Sequence, residues 1–153
     1  MFSLRLATVN DSILLSDLRV EFLKEIQTIP KEMDLDTFRI TLSEYFRENI
    51  ANGTFYAWLA ESNDEIIATS GLAINQKPPH FVNTTGKEAY IMNMYTKPNW
   101  RKKGLGTALF EKLIEEVRKL GINKVVLHTT SIGKPLYEKF GFKSSDDEMV
   151  LYL

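Results

Sequence analysis

The stretch Arg101-Lys102-Lys103-Gly104-Leu105-Gly106 constrains the fold more than any other, because it joins a strand-like run to the most regular amphipathic helix of the chain. Before it, Glu88 to Thr96 (EAYIMNMYT) reads as a strand, and Lys97-Pro98-Asn99-Trp100 as a loop whose proline lacks the N–H that a sheet ladder needs. After it, Leu105, Ala108, Leu109, Leu113, Val117 and Leu120 recur at helical spacing up to Gly121, a C-terminal stop. Two glycines let the backbone come close to a ligand. The first helical N–H groups have no partner inside the helix, and the macrodipole adds partial positive charge beside three cationic side chains. Such a site suits a phosphate group.

The remaining elements can be placed around this unit. Leu4 and Leu6 alternate with polar neighbours in a short opening strand, and Asn10 or Asp11 caps a helix carrying Ile13, Leu14, Leu18, Phe22 and Ile26 through Gln27. A break at Pro30 precedes a second helix, from Asp34 or Asp36 to the stop at Asn52-Gly53. Residues 54–60 and 66–72 flank the turn Ser62-Asn63-Asp64-Glu65 and read as a hairpin, while Gln76 to Gly86 is a long irregular loop that suggests function or mobility. Lys124 to Thr129 reads as a buried strand returning from the helix. Thr130 to Gly133 forms a turn, Lys134 to Lys139 a short helix, and Met149 to Leu153 a last strand. Helices early, then mostly antiparallel strands with one parallel crossover, predict an α+β fold in a single domain over residues 1–153.

Composition narrows the chemistry. A net charge of −1 gives no global attraction to nucleic acid or to an anionic membrane, so the basic cluster is local. The absence of cysteine excludes disulfides, a thiol nucleophile and thiolate metal sites, and fits a reducing compartment. The N-terminus lacks the apolar core of a secretory signal, and no run approaches the roughly 18 apolar residues of a membrane span, which predicts a cytoplasmic protein. His80 and His128 are isolated, with no metal spacing around them, and His128 on a buried strand reads as structural. A dinucleotide fingerprint is incomplete because Leu109 stands where its third glycine would be, and no Gly-Lys-Ser/Thr completes a nucleotide-triphosphate loop.

Order and residues together resemble the GNAT superfamily of acyl-CoA-dependent N-acetyltransferases. Arg101 to Gly106 matches its Arg/Gln-x-x-Gly-x-Gly/Ala motif, the strand ending Asn93-Met94-Tyr95-Thr96 precedes it, and Leu136-Tyr137-Glu138-Lys139-Phe140-Gly141-Phe142 is similar to its Tyr-Glu-Lys-Leu-Gly-Phe signature. The resemblance covers roughly residues 88–142; earlier residues agree in element order alone. It implies a mixed, mostly antiparallel twisted sheet with helices on both faces, acetyl-CoA as co-substrate without a metal, a small-molecule amine as acceptor, and a possible homodimer.

By this resemblance, the backbone N–H groups from Lys102 to Thr107 (Lys102, Lys103, Gly104, Leu105, Gly106, Thr107), with Arg101, hold the coenzyme A pyrophosphate. Met94, Tyr95 and Thr96, at the end of a strand splayed by a bulge, pair with the pantetheine arm. Tyr137 protonates the leaving thiolate. A primary amine with a pKa of about 10.4 is neutral in only on the order of one molecule in a thousand at pH 7, so its proton needs a route out. Many family members place a carboxylate on the strand for this task. Here Tyr90 stands at that position, and Glu88, two residues earlier on the same face, is the candidate acting through water. Thr130 replaces an asparagine frequent after the next strand. The acceptor is expected between the first helix–helix link and the 76–86 loop, beside Tyr56 and Trp58, with Glu32, Asp34 and Asp36 either drawing a cation or serving as a solvated helix start. The alternative function is a non-catalytic acyl-CoA-binding sensor or scaffold.

Overall fold

The computed structural model describes residues 1–145 and 147–153. Alternating apolar residues build a six-stranded sheet from β1 (Ser3–Leu6), β2 (Phe55–Tyr56), β3 (Trp58–Ser62), β4 (Glu65–Gln76), β5 (Lys87–Thr96) and β6 (Val125–Leu127). The strand order is β1-β3-β4-β5-β6, with β2 also on β4. All pairs are antiparallel except β5 with β6, so the predicted crossover and the α+β class both hold. The β3–β4 turn is tight because Asn63 and Asp64 both accept positive φ, 51° and 61°.

The period of two gives the sheet two apolar faces. Phe55, Ala57 and Leu59 pack beneath α1 (Ser12–Ile26) and α2 (Leu35–Ala51), around Leu15, Leu18 and Phe46. Leu72, Ala89 and Ile91 pack on the other face beneath α3 (Leu105–Lys119) and α4 (Lys134–Lys139), around Phe110, Leu113 and Tyr137. Helices therefore cover both faces. Polar contacts fix α1 and α2: Ser16 Oγ donates to the Arg39 carbonyl across 2.8 Å. Asp34 caps α2, accepting from the Asp36 and Thr37 backbone and from the Thr37 hydroxyl, and these bonds hold its carboxyl below the ordinary carboxylate range.

One expectation changes. Residues 149–153 form no strand; their side chains face solvent, and the edge they would join, β6, is only three residues long. Residues 77–86 form the expected irregular loop, tied by hydrogen bonds: Lys77 N donates to the Gly86 carbonyl, His80 and Asn83 exchange backbone hydrogen bonds, and buried Asn83 donates its amide to the Lys87 carbonyl. Gly86 is required there, because its φ is +70° and a Cβ would lie 2.0 Å from the Lys77 carbonyl oxygen.

Candidate active site

The glycine loop has the properties of an anion cradle. Lys102 (φ 61°) and Gly104 (φ 79°) adopt left-handed conformations, which turn successive N–H groups toward one side before α3 begins at Leu105. None of the backbone N–H groups of residues 102–107 finds an acceptor among the described residues; the first cap bond runs from Ala108 N to the Gly104 carbonyl. A Cβ at Gly104 would meet nothing within 4 Å, and one at Gly106 would approach only Leu136, at 3.9 Å. Gly106 also lacks a positive φ, so neither packing nor conformation demands glycine there. The space a side chain would take at Gly106 is open to a ligand. That fits a bound pyrophosphate.

The cationic side chains of the loop have separate tasks. Arg101 donates Nε to the Thr96 carbonyl at 2.9 Å and grips both Glu25 oxygens at 2.7 Å, lying over the Tyr95 ring; it ties the end of α1 to the end of β5. Lys103 stacks its ammonium 4.5 Å over Trp100. The Arg101 guanidinium therefore positions the loop rather than extending into the cradle.

Beside the loop, β5 opens. Its parallel pairing with β6 covers Ala89 to Ile91 and stops at Leu127, leaving Met92 to Thr96 without a strand partner on that side among the described residues. On the other side the register against β4 slips: Met92 faces Gly71 and Tyr95 faces Thr69, so Asn93 and Met94 stand opposite Ser70 alone. The extra residue is accommodated by Asn93, with φ at 55°, a conformation asparagine tolerates better than most residues. Met94 turns toward the α3 face, and Tyr95 returns to the α1 face, where burial raises its phenol pKa.

At the base of this opening lies a chain of three polar side chains. The Tyr90 hydroxyl is 3.0 Å from His128 Nδ1, and His128 Nε2 is 2.8 Å from Glu148 Oε2. His128 is not in a buried strand: β6 ends one residue earlier, and the imidazole is exposed. The parallel register Tyr90↔Val126 puts His128, two residues on, on the same face as Tyr90.

Glu88 is differently placed. It is 3 % exposed and held by two lysines, Lys124 Nζ at 2.5 Å and Lys77 Nζ at 2.8 Å. Those hydrogen bonds, Lys124 first, keep its carboxyl below the ordinary range despite burial. A carboxylate so stabilised is a weak base and has structural work.

Tyr137 lies in α4, 9 % exposed, with its ring 5.4 Å from Phe110 and 6.0 Å from Phe142. Burial raises its pKa, so it stays protonated at neutral pH, and its hydroxyl has no hydrogen-bond partner among the described residues. Thr130 caps the turn into α4: its Oγ1 and its carbonyl accept from Gly133 N, and its carbonyl also from Lys134 N. Tyr56 and Trp58 face α3, opposite the α1–α2 link, because alternation turns Phe55 and Ala57 the other way. They do not line a common cleft with that link. The link itself borders an open groove of about 420 Å³ against Met33, Phe38 and Thr41.

A glycine loop at a helix start, a strand opened by a bulge and a tyrosine on the short helix beyond stand in the order that the resemblance to the GNAT superfamily implies. The profile of the acetyltransferase (GNAT) family matches residues 20–142, and the chain belongs to that family. It is similar to a predicted acetyltransferase from Clostridium acetobutylicum solved with acetyl-CoA, at 34 % identity, TM-score 0.91, covering 99 % of this chain and 96 % of that one. A Ralstonia eutropha N-acetyltransferase structure follows at 27 % identity and TM-score 0.85, covering 100 % and 99 %. The glucosamine 6-phosphate N-acetyltransferase of Trypanosoma brucei brucei is 33 % identical over 88 residues, 58 % of each chain. The match spans less than two thirds of the length of such curated relatives. No helix among the described residues is long and apolar enough to cross a membrane, and no group of three or more potential metal ligands occurs among them.

Proposed function

We propose that the protein is an N-acetyltransferase that moves the acetyl group of acetyl-CoA directly to a primary amine of a small-molecule acceptor. The observation that carries this reading is the run of six backbone N–H groups, residues 102–107, lacking acceptors beside the unpaired edge of β5. The run receives the pyrophosphate, and Met94 to Thr96 align the pantetheine arm through their backbone. Acetyl-CoA supplies the activated acyl carbon as a thioester.

Proton removal falls to Tyr90, not Glu88. The amine proton passes to the Tyr90 oxygen as that phenol gives its own proton to His128 Nδ1, which requires His128 to hold its other proton on Nε2 toward Glu148. Glu148 fixes that tautomer and offsets the charge on the imidazolium. As the nitrogen–carbon bond forms and the carbon–sulfur bond breaks, the departing thiolate takes the Tyr137 proton. Direct transfer follows from a chain without cysteine, which has no thiol to carry an acyl group.

A screen of primary amines with acetyl-CoA, read by thiol release, tests the reading. Turnover of at least one amine is expected, with a His128→Gln variant slowed at every pH tested. Equal turnover by variant and wild type would remove the relay.

A further inference from the structure

We infer that the acceptor carries an anionic group, a carboxylate or a phosphate, which Arg19 receives beside the β5 bulge. This rests on the acetyltransferase reading of the same site.

Arg19 lies on α1 between buried Leu18 and Val20 and is itself half-buried. Its Nη1 donates to the Asn93 side-chain oxygen at the bulge. No carboxylate lies within ion-pair distance of it among the described residues. The other half-buried arginines do have such partners: Arg5 meets Asp11 and Glu61, and Arg39 meets Asp17. Arg47 and Arg118 are exposed to water and need none.

Asn93, Tyr45 and Tyr90 lie around Arg19, and none of them is a carboxylate. Burial lowers its pKa, whereas the carboxylates beside Arg5 raise that residue's. A guanidinium has five N–H donors, and an amide oxygen engages one of them. A desolvated cation without a counter-ion is unfavourable, and a carboxylate or phosphate satisfies both its charge and its forked geometry. Place adds to chemistry. Tyr90 begins the proton route and Asn93 makes the bulge, so an anion on Arg19 sits near the reacting amine. The acceptor should therefore hold amine and anion within one small molecule, as amino acids and amino-sugar phosphates do.

The test compares amines matched in shape but not in charge, glucosamine 6-phosphate against glucosamine and an amino acid against its carboxamide, in wild type, Arg19→Gln and Arg19→Lys. Wild type should favour the anionic member of one pair by about tenfold to a hundredfold in kcat/KM, and which pair responds distinguishes phosphate from carboxylate. Arg19→Gln should erase the preference mainly by raising KM for the anionic member, and Arg19→Lys should restore part of it. Equal losses on both members, or no preference in wild type, would overturn the inference and leave Arg19 a brace for Asn93. A second measurement needs no turnover: with coenzyme A saturating, inorganic phosphate or acetate should raise the melting temperature of wild type but not of Arg19→Gln. An Arg19-dependent shift without turnover of any amine would contradict the acetyltransferase reading alone. Absence of any shift in wild type would contradict the anion site.

Discussion

Gly106 is free of the usual reasons for glycine, so its substitution separates binding from folding. Alanine there should leave the melting temperature unchanged or raise it, since alanine is the better helix former by about 1 kcal/mol. Coenzyme A affinity should fall about tenfold or more, because hydrogen bonds to a charged group are each worth roughly 1.5–3 kcal/mol. Calorimetry and thermal unfolding on one sample check both. Tyr137→Phe removes a hydroxyl without a partner among the described residues and keeps the ring against Phe110, so kcat should fall roughly a hundredfold with little change in stability. The glycine loop was legible in sequence because its chemistry is local: glycine spacing, helix start and cations are contiguous. The burial of Glu88 was not legible because Lys77 and Lys124, which pair with it, come from different segments. His128 was passed over for the same reason. Its partners lie 38 and 20 residues away, and only the parallel register of β5 and β6 hints at the first. Arg19 gave no signal, since a lone arginine on an amphipathic helix usually reaches water.

At the scale of elements, Glu88 clamps β5 to the 76–86 loop through Lys77 and to the approach of β6 through Lys124. Its carboxyl is depressed in the folded state, so this stabilisation is fully present above the ordinary glutamate range and is lost as pH falls through the lower folded value. Acid titration of wild type should show a stability loss below about pH 4.5 that Glu88→Gln lacks, while the variant is less stable at pH 7 by roughly 1–3 kcal/mol. A variant with the wild-type acid profile would mean that the ion pairs contribute nothing. Most elements were readable from periodicity: α1, α2, α3 and the β3–β4 hairpin stand where apolar spacing and the Asn63-Asp64 turn place them. The bulge at Asn93 was expected from resemblance alone, because one extra residue in a strand leaves the period of two almost intact in sequence. The absent strand at 149–153 shows the converse, an apolar run whose fate depends on an edge too short to hold it.

At the scale of the molecule, the proposed function assigns the two substrates to different faces of the sheet. By the proposed function the α3 face and the loop address the donor, while α1 and α2 cover the face where Arg19, Asn93 and Tyr90 meet. With a net charge of only −1, selectivity must come from such local groups rather than from the overall field. The glycine loop was readable in sequence and the proposed acceptor groups were not, because Arg19 on α1 and Tyr90 and Asn93 on β5 are brought together only by the fold. The most direct measurement of the central claim is calorimetry with coenzyme A followed, on the same preparation, by thiol release from acetyl-CoA across a panel of primary amines. The account predicts binding and amine-dependent thiol release. Binding with no amine-dependent release from any member of the panel would contradict it and leave a module that holds acyl-CoA without catalysis.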